Sequence, residues 1–254
     1  MSEQLPNSIM ELVPEGLNPR PGSRQESKSS EMRETILEAT LDCLADHGYA
    51  NTTNSLVCER AGISRGAMLH HYRTRQDLIV ATIEYALYKH LSNFSKMVTS
   101  LADSERRDRN SAIAIDWHLC LTREYKAYQE LQMASRTNPE LRKVFQPRAR
   151  HHDLVWKEEL LKVFPEWRED MRKLDFSRRF VRSLLDGMSL NREQWKDPSV
   201  EWILLGFIAD LMKRIRTDEL VFPDEKDLES FKSVAAELLP KRTRRSTAPR
   251  KVRQ

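Results

Sequence analysis

Apolar residues recur three or four positions apart along most of the chain, which is the spacing of an amphipathic α-helix. In the first such segment Ile36, Ala39 and Cys43 mark one face, and Gly48 follows as a stop signal. The pattern predicts a first helix from about Ser30 to Gly48. It also predicts a short helix at 54–61, a second short helix that begins at Ser64, and longer helices at about 74–100, 109–136, 139–163, 176–191, 198–216 and 225–238.

Glycine is scarce, and its distribution decides the fold class. After Gly66 the chain contains only Gly187 and Gly206. The tight turns of an antiparallel sheet need glycine or asparagine-glycine pairs, which are missing here. The sequence therefore predicts an all-α fold.

The stretch from Thr52 to Leu78 has the signals of two short crossed helices followed by a longer one. Thr53 and Ser64 are suited to cap the orphan amides at the two helix starts, and Gly62 is suited to the left-handed turn between them. Such a pair predicts a helix-turn-helix, whose second helix enters a DNA major groove.

Charge and composition at the two ends differ from those of the middle. Residues 1–29 are polar and contain three prolines, so a disordered arm is predicted there. The formal net charge is +4, but residues 241–254 hold seven cations and no acid. This basic tail, also predicted to be disordered, therefore sets the overall sign, and DNA binding cannot be argued from net charge alone.

No segment has the character of a signal peptide or a membrane span. The longest apolar run, Trp202 to Ala209, is far below the roughly 20 residues that a membrane helix needs. Three cysteines without CxxC spacing are typical of a reduced intracellular protein. A cytoplasmic protein without a membrane partner is predicted.

The run from Ile36 to Leu78 resembles the DNA-binding head of the TetR/AcrR family of bacterial regulators. The matching residues are Ile36, Leu37, Ala39, Gly48, Tyr49, Thr52, Thr53, Val57, Ala61, Gly62, Ile63, Ser64, Gly66, His71, Tyr72, Asp77 and Leu78. The resemblance implies a homodimer with this head at residues 30–76 and a helical effector-binding and dimerisation domain at 77–240. Most such proteins repress transcription and release DNA when a small effector binds.

Candidate DNA contacts cluster on the second short helix. Arg65 is placed to bind a guanine edge through two hydrogen bonds, with a phosphate contact as the alternative. The span from Arg60 to Arg75 contains no acid. Many family members carry adjacent aromatic residues where this chain has Leu69 and His70. The full candidate set is Thr53, Ser55, Ser64, Arg65, Gly66, Ala67, Leu69, His70, His71, Tyr72, Arg73 and Arg75, with a structural hydrogen-bonding role as the alternative for His71.

The segment from Trp202 to Met212 is apolar nearly all round, so more than one of its sides must be covered. From the residues alone, the centre of one large core and a two-fold subunit interface explain this equally well. The family resemblance favours an interface within residues 176–216. The candidate interface residues are Phe180, Leu184, Leu185, Leu204, Phe207, Ile208 and Leu211.

The second half of the chain has few signals for a ligand. Trp117, His118 and Met133 are the candidate effector residues, although such side chains more often pack in a core. His151, His152 and Asp153 invite a metal interpretation, but no second ligand pair stands one turn away, so a solvated helix face is preferred. No catalytic or phosphate-binding motif occurs, and neither an enzyme nor a cofactor is predicted.

Together these features predict a homodimeric transcriptional regulator that binds a palindromic operator in double-stranded DNA. A repressor released by a partly apolar small molecule is the preferred form. A helical DNA-organising or protein-interaction module without a small ligand is the alternative, and a metal sensor is a third. The helix that begins after Thr74 is the expected lever between head and body.

Overall fold

A computed structural model describes residues 7–18, 20–102, 109–220 and 225–238, and every regular element in these ranges is helical, which confirms the all-α prediction. The α-helices are α1 (Asn7–Met10), α2 (Arg24–Asn51), α3 (Asn54–Ala61), α4 (Arg65–His71), α5 (Arg75–Ser100), α6 (Arg109–Cys120), α7 (Arg123–Thr137), α8 (Pro139–Val163), α9 (Met171–Asn191), α10 (Ser199–Arg216) and α11 (Glu225–Leu238). Two 3₁₀ turns, Pro165–Glu169 and Arg192–Gln194, flank α9.

Side-chain caps set where these helices begin. The Thr53 hydroxyl accepts from the Leu56 amide at 3.2 Å, and the Ser64 hydroxyl accepts from the Ala67 amide at 3.1 Å. Thr74 and Asp77 form a reciprocal capping box at the start of α5. The caps predicted from sequence for α3 and α4 are therefore present.

Caps also explain three differences from the predicted boundaries. The predicted helix at 109–136 is two helices, because the Thr122 hydroxyl accepts from the Tyr125 amide and starts α7 afresh. α2 begins at Arg24 after the cap Ser23, not at Ser30. α9 begins at Met171 rather than 176, because Asp170 caps it by accepting from the Lys173 amide at 3.0 Å.

The N-terminal segment differs from the predicted disordered arm. Ile9 of α1 is fully buried and Leu12 is nearly so, in one cluster with Leu91, Phe94 and Trp156. α1 packs against α5 and α8. Few apolar residues suffice here because the body supplies a ready apolar surface. Residues 1–6 and the basic tail at 241–254 lie outside the described residues.

The head and the body share a continuous apolar core. Ile36, Val57 and Met68 from the head belong to the same buried cluster as Ala127 and Leu131 of α7. The chain divides into one compact unit that ends at Lys213 and a second that begins at Arg214 and includes α11. Within the described ranges, no helix combines the length and apolarity needed to cross a membrane.

Candidate nucleic-acid interface and effector site

The helix-turn-helix is held together by one glycine turn and a small buried seam. Gly62 adopts φ 67° and ψ 31°, the left-handed conformation predicted for it, and its amide bonds back to the end of α3. Val57, Cys58 and Met68 are buried between α3 and α4, with Cys58 Sγ 3.6 Å from Met68 Sδ. Each helix is too short to persist alone, so this packing fixes how α4 is presented.

The outer side of α4 is open to solvent. Arg65, Gly66, Leu69 and His70 are exposed, and Arg73 is exposed just beyond the helix end. Neither arginine forms an ion pair within the described part of the chain. Ser55 is also exposed, Ala67 is half-buried, and the cap oxygens of Thr53 and Ser64 are already used as acceptors, so their hydroxyls remain available as donors.

Two of the predicted DNA contacts serve the fold instead. Tyr72 is only 5% exposed, and its ring lies 5.5 Å from the Arg33 guanidinium. Arg75 donates to Tyr49 O at 2.8 Å, Tyr49 Oη at 3.0 Å and Thr52 O at 3.2 Å, and stacks on the Tyr49 ring at 4.4 Å. Sequence cannot reveal these contacts, because the acceptors lie more than twenty residues away.

The acid-free span is less basic in space than along the sequence. Arg60 pairs with Asp46 at 3.0 Å and lies 3.7 Å from Asp42, so α2 partly neutralises it. His71 is half-buried, and burial together with Arg33 lowers its pKa, which keeps the ring neutral. Of the cations between Arg60 and Arg75, Arg65 and Arg73 therefore remain accessible and unpaired among the residues that the structure describes. Arg65 lies at the start of α4 and Arg73 lies just after its end.

Helix α7 joins the head to the body through charged contacts on one face. Arg123 binds Glu38 and donates to Asp42 Oδ1 at 2.6 Å, both on α2. Two turns further along, at the middle of α7, Glu130 accepts the Tyr49 amide at 3.0 Å, where Gly48 adopts φ 77° and breaks the helical path of α2. α2 is therefore held at two points along α7.

The other face of α7 reaches a cluster of polar and aromatic side chains in the middle of the body, here called the central polar cluster. Its members come from five helices and are His90 (α5), Asp116 and Cys120 (α6), Tyr125 (α7), His152 and Trp156 (α8), and Arg178, Arg182 and Asp186 (α9). Tyr125 donates to Asp186, and Gln129 Nε2 lies 2.9 Å from Ser189 Oγ. α7 thus contacts the head on one side and this cluster on the other.

Arg182 occupies the centre of the cluster. Its guanidinium lies 4.8 Å from the centroid of the Tyr125 ring and 5.7 Å from that of Trp156. Its Nη2 is 3.3 Å from His90 Nε2. A guanidinium only donates, so His90 Nε2 accepts, and the ring proton of the neutral histidine is on Nδ1.

Burial leaves several polar atoms of the cluster without a hydrogen-bond partner: His90 Nδ1, His152 Nε2 and Arg178 Nε. Burial is the main cause that lowers the pKa of both histidines, and the positive charge of Arg182 is the second cause. The pKa of His152 falls to about 3. Burial raises the pKa of Asp116 to about 6, against the opposing pull of Arg182 and Arg178. An unpartnered buried polar atom costs about 1 to 3 kcal/mol, so a cluster with several such atoms is suited to a ligand that satisfies them.

The effector residues predicted from sequence do not meet at this cluster. Trp117 is buried, and its Nε1 donates to Glu201 Oε1 at 2.8 Å, a carboxylate that Arg192 also binds. His118 is exposed, and Met133 is 48% exposed. The prediction of a solvated face at 151–153 is wrong for His152, which is 8% exposed. Within the described ranges, no group of His, Cys, Asp and Glu is arranged to hold a metal ion.

The missed cluster did have a sequence signal. Arg178 and Arg182 stand one turn apart on α9, among the buried positions Leu174, Leu185 and Met188. His90 likewise follows Leu87 at helical spacing on the buried face of α5. Charged or imidazole side chains on an apolar stripe indicate a built polar site.

An apolar surface remains exposed on α9 and α10. Phe207 is 71% exposed and Trp202 is 66% exposed, and Phe176, Leu184 and Ile203 are also exposed. Of the predicted interface residues, Phe180, Leu204 and Leu211 are half-buried. Leu185 and Ile208 are buried within the unit, so their assignment to a subunit interface is corrected.

The comparisons with known proteins agree with this architecture. Residues 36–82 match the family model of bacterial regulatory proteins, tetR family. An uncharacterized HTH-type transcriptional regulator of Mycobacterium tuberculosis is 28% identical over 122 residues, 48% of this chain and 62% of the relative. The chain thus spans about three fifths of that relative. The HTH-type transcriptional repressor AcnR of Corynebacterium glutamicum is 39% identical over 54 residues, 21% of this chain and 29% of the repressor.

A structural match extends the comparison beyond the head. A Saccharomonospora viridis protein crystallised in complex with choline has a TM-score of 0.54 at 16% identity, covering 72% of this chain and 96% of that chain. At this identity the match establishes the fold. The head and the helical body define a helix-turn-helix DNA-binding protein. Residues 36–82 therefore carry the helix-turn-helix head of the TetR family of bacterial regulatory proteins, as the resemblance implied. The relatives that match this region are transcriptional regulators, a class without enzymatic activity.

Proposed function

We propose that this protein is a homodimeric transcriptional repressor that leaves its operator when a small molecule binds the body. The observation that carries the proposal is the open face of α4, where Arg65, His70 and Arg73 are exposed on a head fixed by Gly62 and Met68. A helix presented in this way fits a major groove. The relative AcnR is named as a repressor, which supports repression over activation.

A palindromic operator fits this arrangement because one head reads only a short site. The exposed apolar face of α9 and α10 supports a two-fold dimer, since patches of this kind rarely stay uncovered in a monomer. A dimer would place its two α4 helices about 34 to 36 Å apart, the distance between successive major grooves.

Release by an effector requires a link between body and head, and α7 supports one. A ligand at the central polar cluster would contact the side chains around Tyr125, whose ring packs against His90. Tyr125 lies two residues after Arg123, and Arg123 binds Glu38 and Asp42 of α2. A shift of α7 would then change how α2 and α4 are held. The helix α5, predicted as the lever, contributes His90 to the same cluster.

The proposal is tested by footprinting on DNA from upstream of the gene. The expected result is a protected palindrome with two half-sites about one helical turn apart. Arg65→Ala should relax the preference at one position in each half-site, whereas Arg73→Ala should weaken all sites by a similar factor. Protection without sequence preference would instead favour a DNA-organising module.

A further inference from the structure

The central polar cluster lies at the meeting point of five helices and is rich in hydrogen-bond donors. We propose that it binds a small organic carboxylate, whose oxygens accept from Arg182 and from His90 Nδ1 while its apolar part lies along Trp156. This inference rests on the proposed function for its effect on DNA, although the binding site itself does not depend on it.

The Arg182 guanidinium is the group that would bind the anion. Within the described residues, no carboxylate oxygen lies within 4.0 Å of this guanidinium, whose hydrogen-bond partners are His90 Nε2 at 3.3 Å and Cys120 Sγ at 3.9 Å. A guanidinium carries five N–H donors, so these two contacts leave at least three donors without a protein acceptor. Carboxylates match the planar geometry of such donors.

Other buried polar atoms of the cluster add further donors. His90 carries its proton on Nδ1, and this buried donor has no partner. Arg178 binds Asp153 through Nη2, but its buried Nε has no partner. Only His152 Nε2 offers an unpartnered acceptor among the buried atoms of the cluster. The excess of donors favours a ligand with several acceptors.

Two carboxyls of the cluster oppose an anion here: Asp186, which accepts from Tyr125, and Asp116. The Asp116 carboxylate is close enough to Arg178 and Arg182 to respond to their charge, and burial raises its pKa to about 6. A proton taken up on this carboxyl when an anion arrives removes its share of the repulsion at a modest cost.

A cationic ligand is disfavoured by the same geometry. The choline found in the Saccharomonospora viridis protein is a quaternary ammonium, a group that binds over aromatic faces. Here the Arg182 guanidinium already lies over Tyr125 and Trp156. An external cation at these rings would therefore meet the positive charge of Arg182.

The apolar part of the ligand has a surface to lie against. Trp156 is stacked on His90 with 4.9 Å between ring centroids, and it packs on Phe94 at 4.6 Å. Ile115 and Leu119 belong to the same buried apolar cluster as Trp156. This surface suits an aromatic ring or a short alkyl chain.

The test uses full-length protein freed of carried-over ligand and probes matched in shape but not in charge. Benzoate, 3-phenylpropionate and octanoate are compared with their amides and with choline chloride by calorimetry and thermal unfolding. We expect at least one carboxylate to bind and to raise the melting temperature by several degrees, and its amide to bind at least tenfold more weakly. An amide that binds as tightly as its acid, a preference for choline, or no binding of any probe would overturn the inference.

Variants then locate the site. Arg182→Met should reduce carboxylate affinity roughly 30-fold or more, because it removes the charged partner. Arg179→Met, which removes an exposed guanidinium from the same helix, is the matched control and should leave affinity unchanged. The acid-to-amide comparison on the unaltered protein decides the question if Arg182→Met fails to fold. Equal loss in both variants would count against the site.

DNA release is measured separately with the same probes, so that the two proposals fail in different ways. A carboxylate that binds in an Arg182-dependent manner without lowering operator affinity would contradict the effector mechanism and leave the site intact. An amide or choline that releases DNA would support the effector mechanism and refute the carboxylate class.

Discussion

Arginines of similar sequence context do different work in the head. Arg65 and Arg75 both follow a helix-capping residue. Arg65 is exposed, whereas Arg75 donates hydrogen bonds to the carbonyl oxygens of Tyr49 and Thr52. The difference arises because α2 ends beside the start of α5 and presents backbone carbonyls there. A carbonyl at a helix end needs a donor, and Arg75 supplies one.

Replacing these two arginines should separate stability from DNA affinity. Arg75→Ala removes three hydrogen bonds and a cation–π contact at a partly exposed site, so the free energy of unfolding should fall by about 2 kcal/mol. Arg65→Ala should change it by less than about 0.5 kcal/mol but reduce operator affinity. Urea unfolding and gel-shift titration measure the two effects. A fully stable Arg75→Ala protein that cannot bind DNA would contradict the structural role.

The buried histidines predict that the protein loses stability in mild acid. The folded-state pKa of His90 and that of His152, about 3, lie below the unfolded value of about 6.5. As the pH falls below about 6.5, the unfolded chain therefore binds protons that the folded chain excludes. Asp116 opposes this, because its folded pKa of about 6 exceeds the unfolded value and its proton uptake favours folding below pH 6. As the pH falls, the two histidines lower the free energy of unfolding and the one carboxyl raises it. The net decrease in the free energy of unfolding is up to about 1.4 kcal/mol per pH unit.

Thermal unfolding between pH 7 and pH 5 measures this loss. His152→Phe should flatten the decline, and Asp116→Asn should steepen it. His151→Phe, at the exposed neighbouring position, should leave the slope unchanged. A melting temperature that stays constant over this range would show that the two rings are protonated without cost.

At the scale of elements, the sequence determined more of the head than of the body. Capping residues and a single glycine specify α3, α4 and the start of α5, because these signals act within four residues. The break between α6 and α7 was missed, since Leu121 and Thr122 interrupt a pattern that stays apolar on both sides. The central polar cluster joins five helices, and its members are up to 96 residues apart in the numbering. Local patterns cannot bring such residues together.

Helix α7 should carry the coupling between ligand and DNA. Arg123→Met breaks the contacts to Glu38 and Asp42 but leaves Glu38 bound to Lys89 at 3.2 Å, so the fold should be retained. We expect ligand and operator each to bind with nearly unchanged affinity, and the ligand-induced loss of operator affinity to shrink roughly fivefold or more. Operator titration with and without ligand measures this factor.

The control for α7 removes an ion pair elsewhere. Lys143→Met on α8 breaks an exposed pair with Glu140 at 2.8 Å and should leave the coupling factor unchanged. If Arg123→Met left the factor unchanged as well, the signal would have to pass through α5 or through the contact of Glu130 with Tyr49.

At the scale of the whole molecule, the exposed face of α9 and α10 predicts how the regulator assembles. Residues alone left a core and an interface as equal explanations for the segment from Trp202 to Met212. The fold divides the two roles within one helix, since Leu205 and Ile208 face the core while Trp202 and Phe207 face solvent. One helix therefore serves both purposes, which its nearly uniform apolar sequence could not reveal.

Phe207→Asp should convert a dimer into a monomer, because a charge placed in an apolar interface would be buried without a partner. Light scattering after size exclusion should report half the mass, and operator affinity should fall by roughly 10²-fold or more, since two heads no longer bind as one unit. Leu154→Asp is the matched control, because this leucine is also exposed but lies on α8. If the Phe207→Asp protein kept the dimer mass, the partner surface would lie elsewhere on the chain, and the spacing of the two α4 helices would have to be derived from that surface.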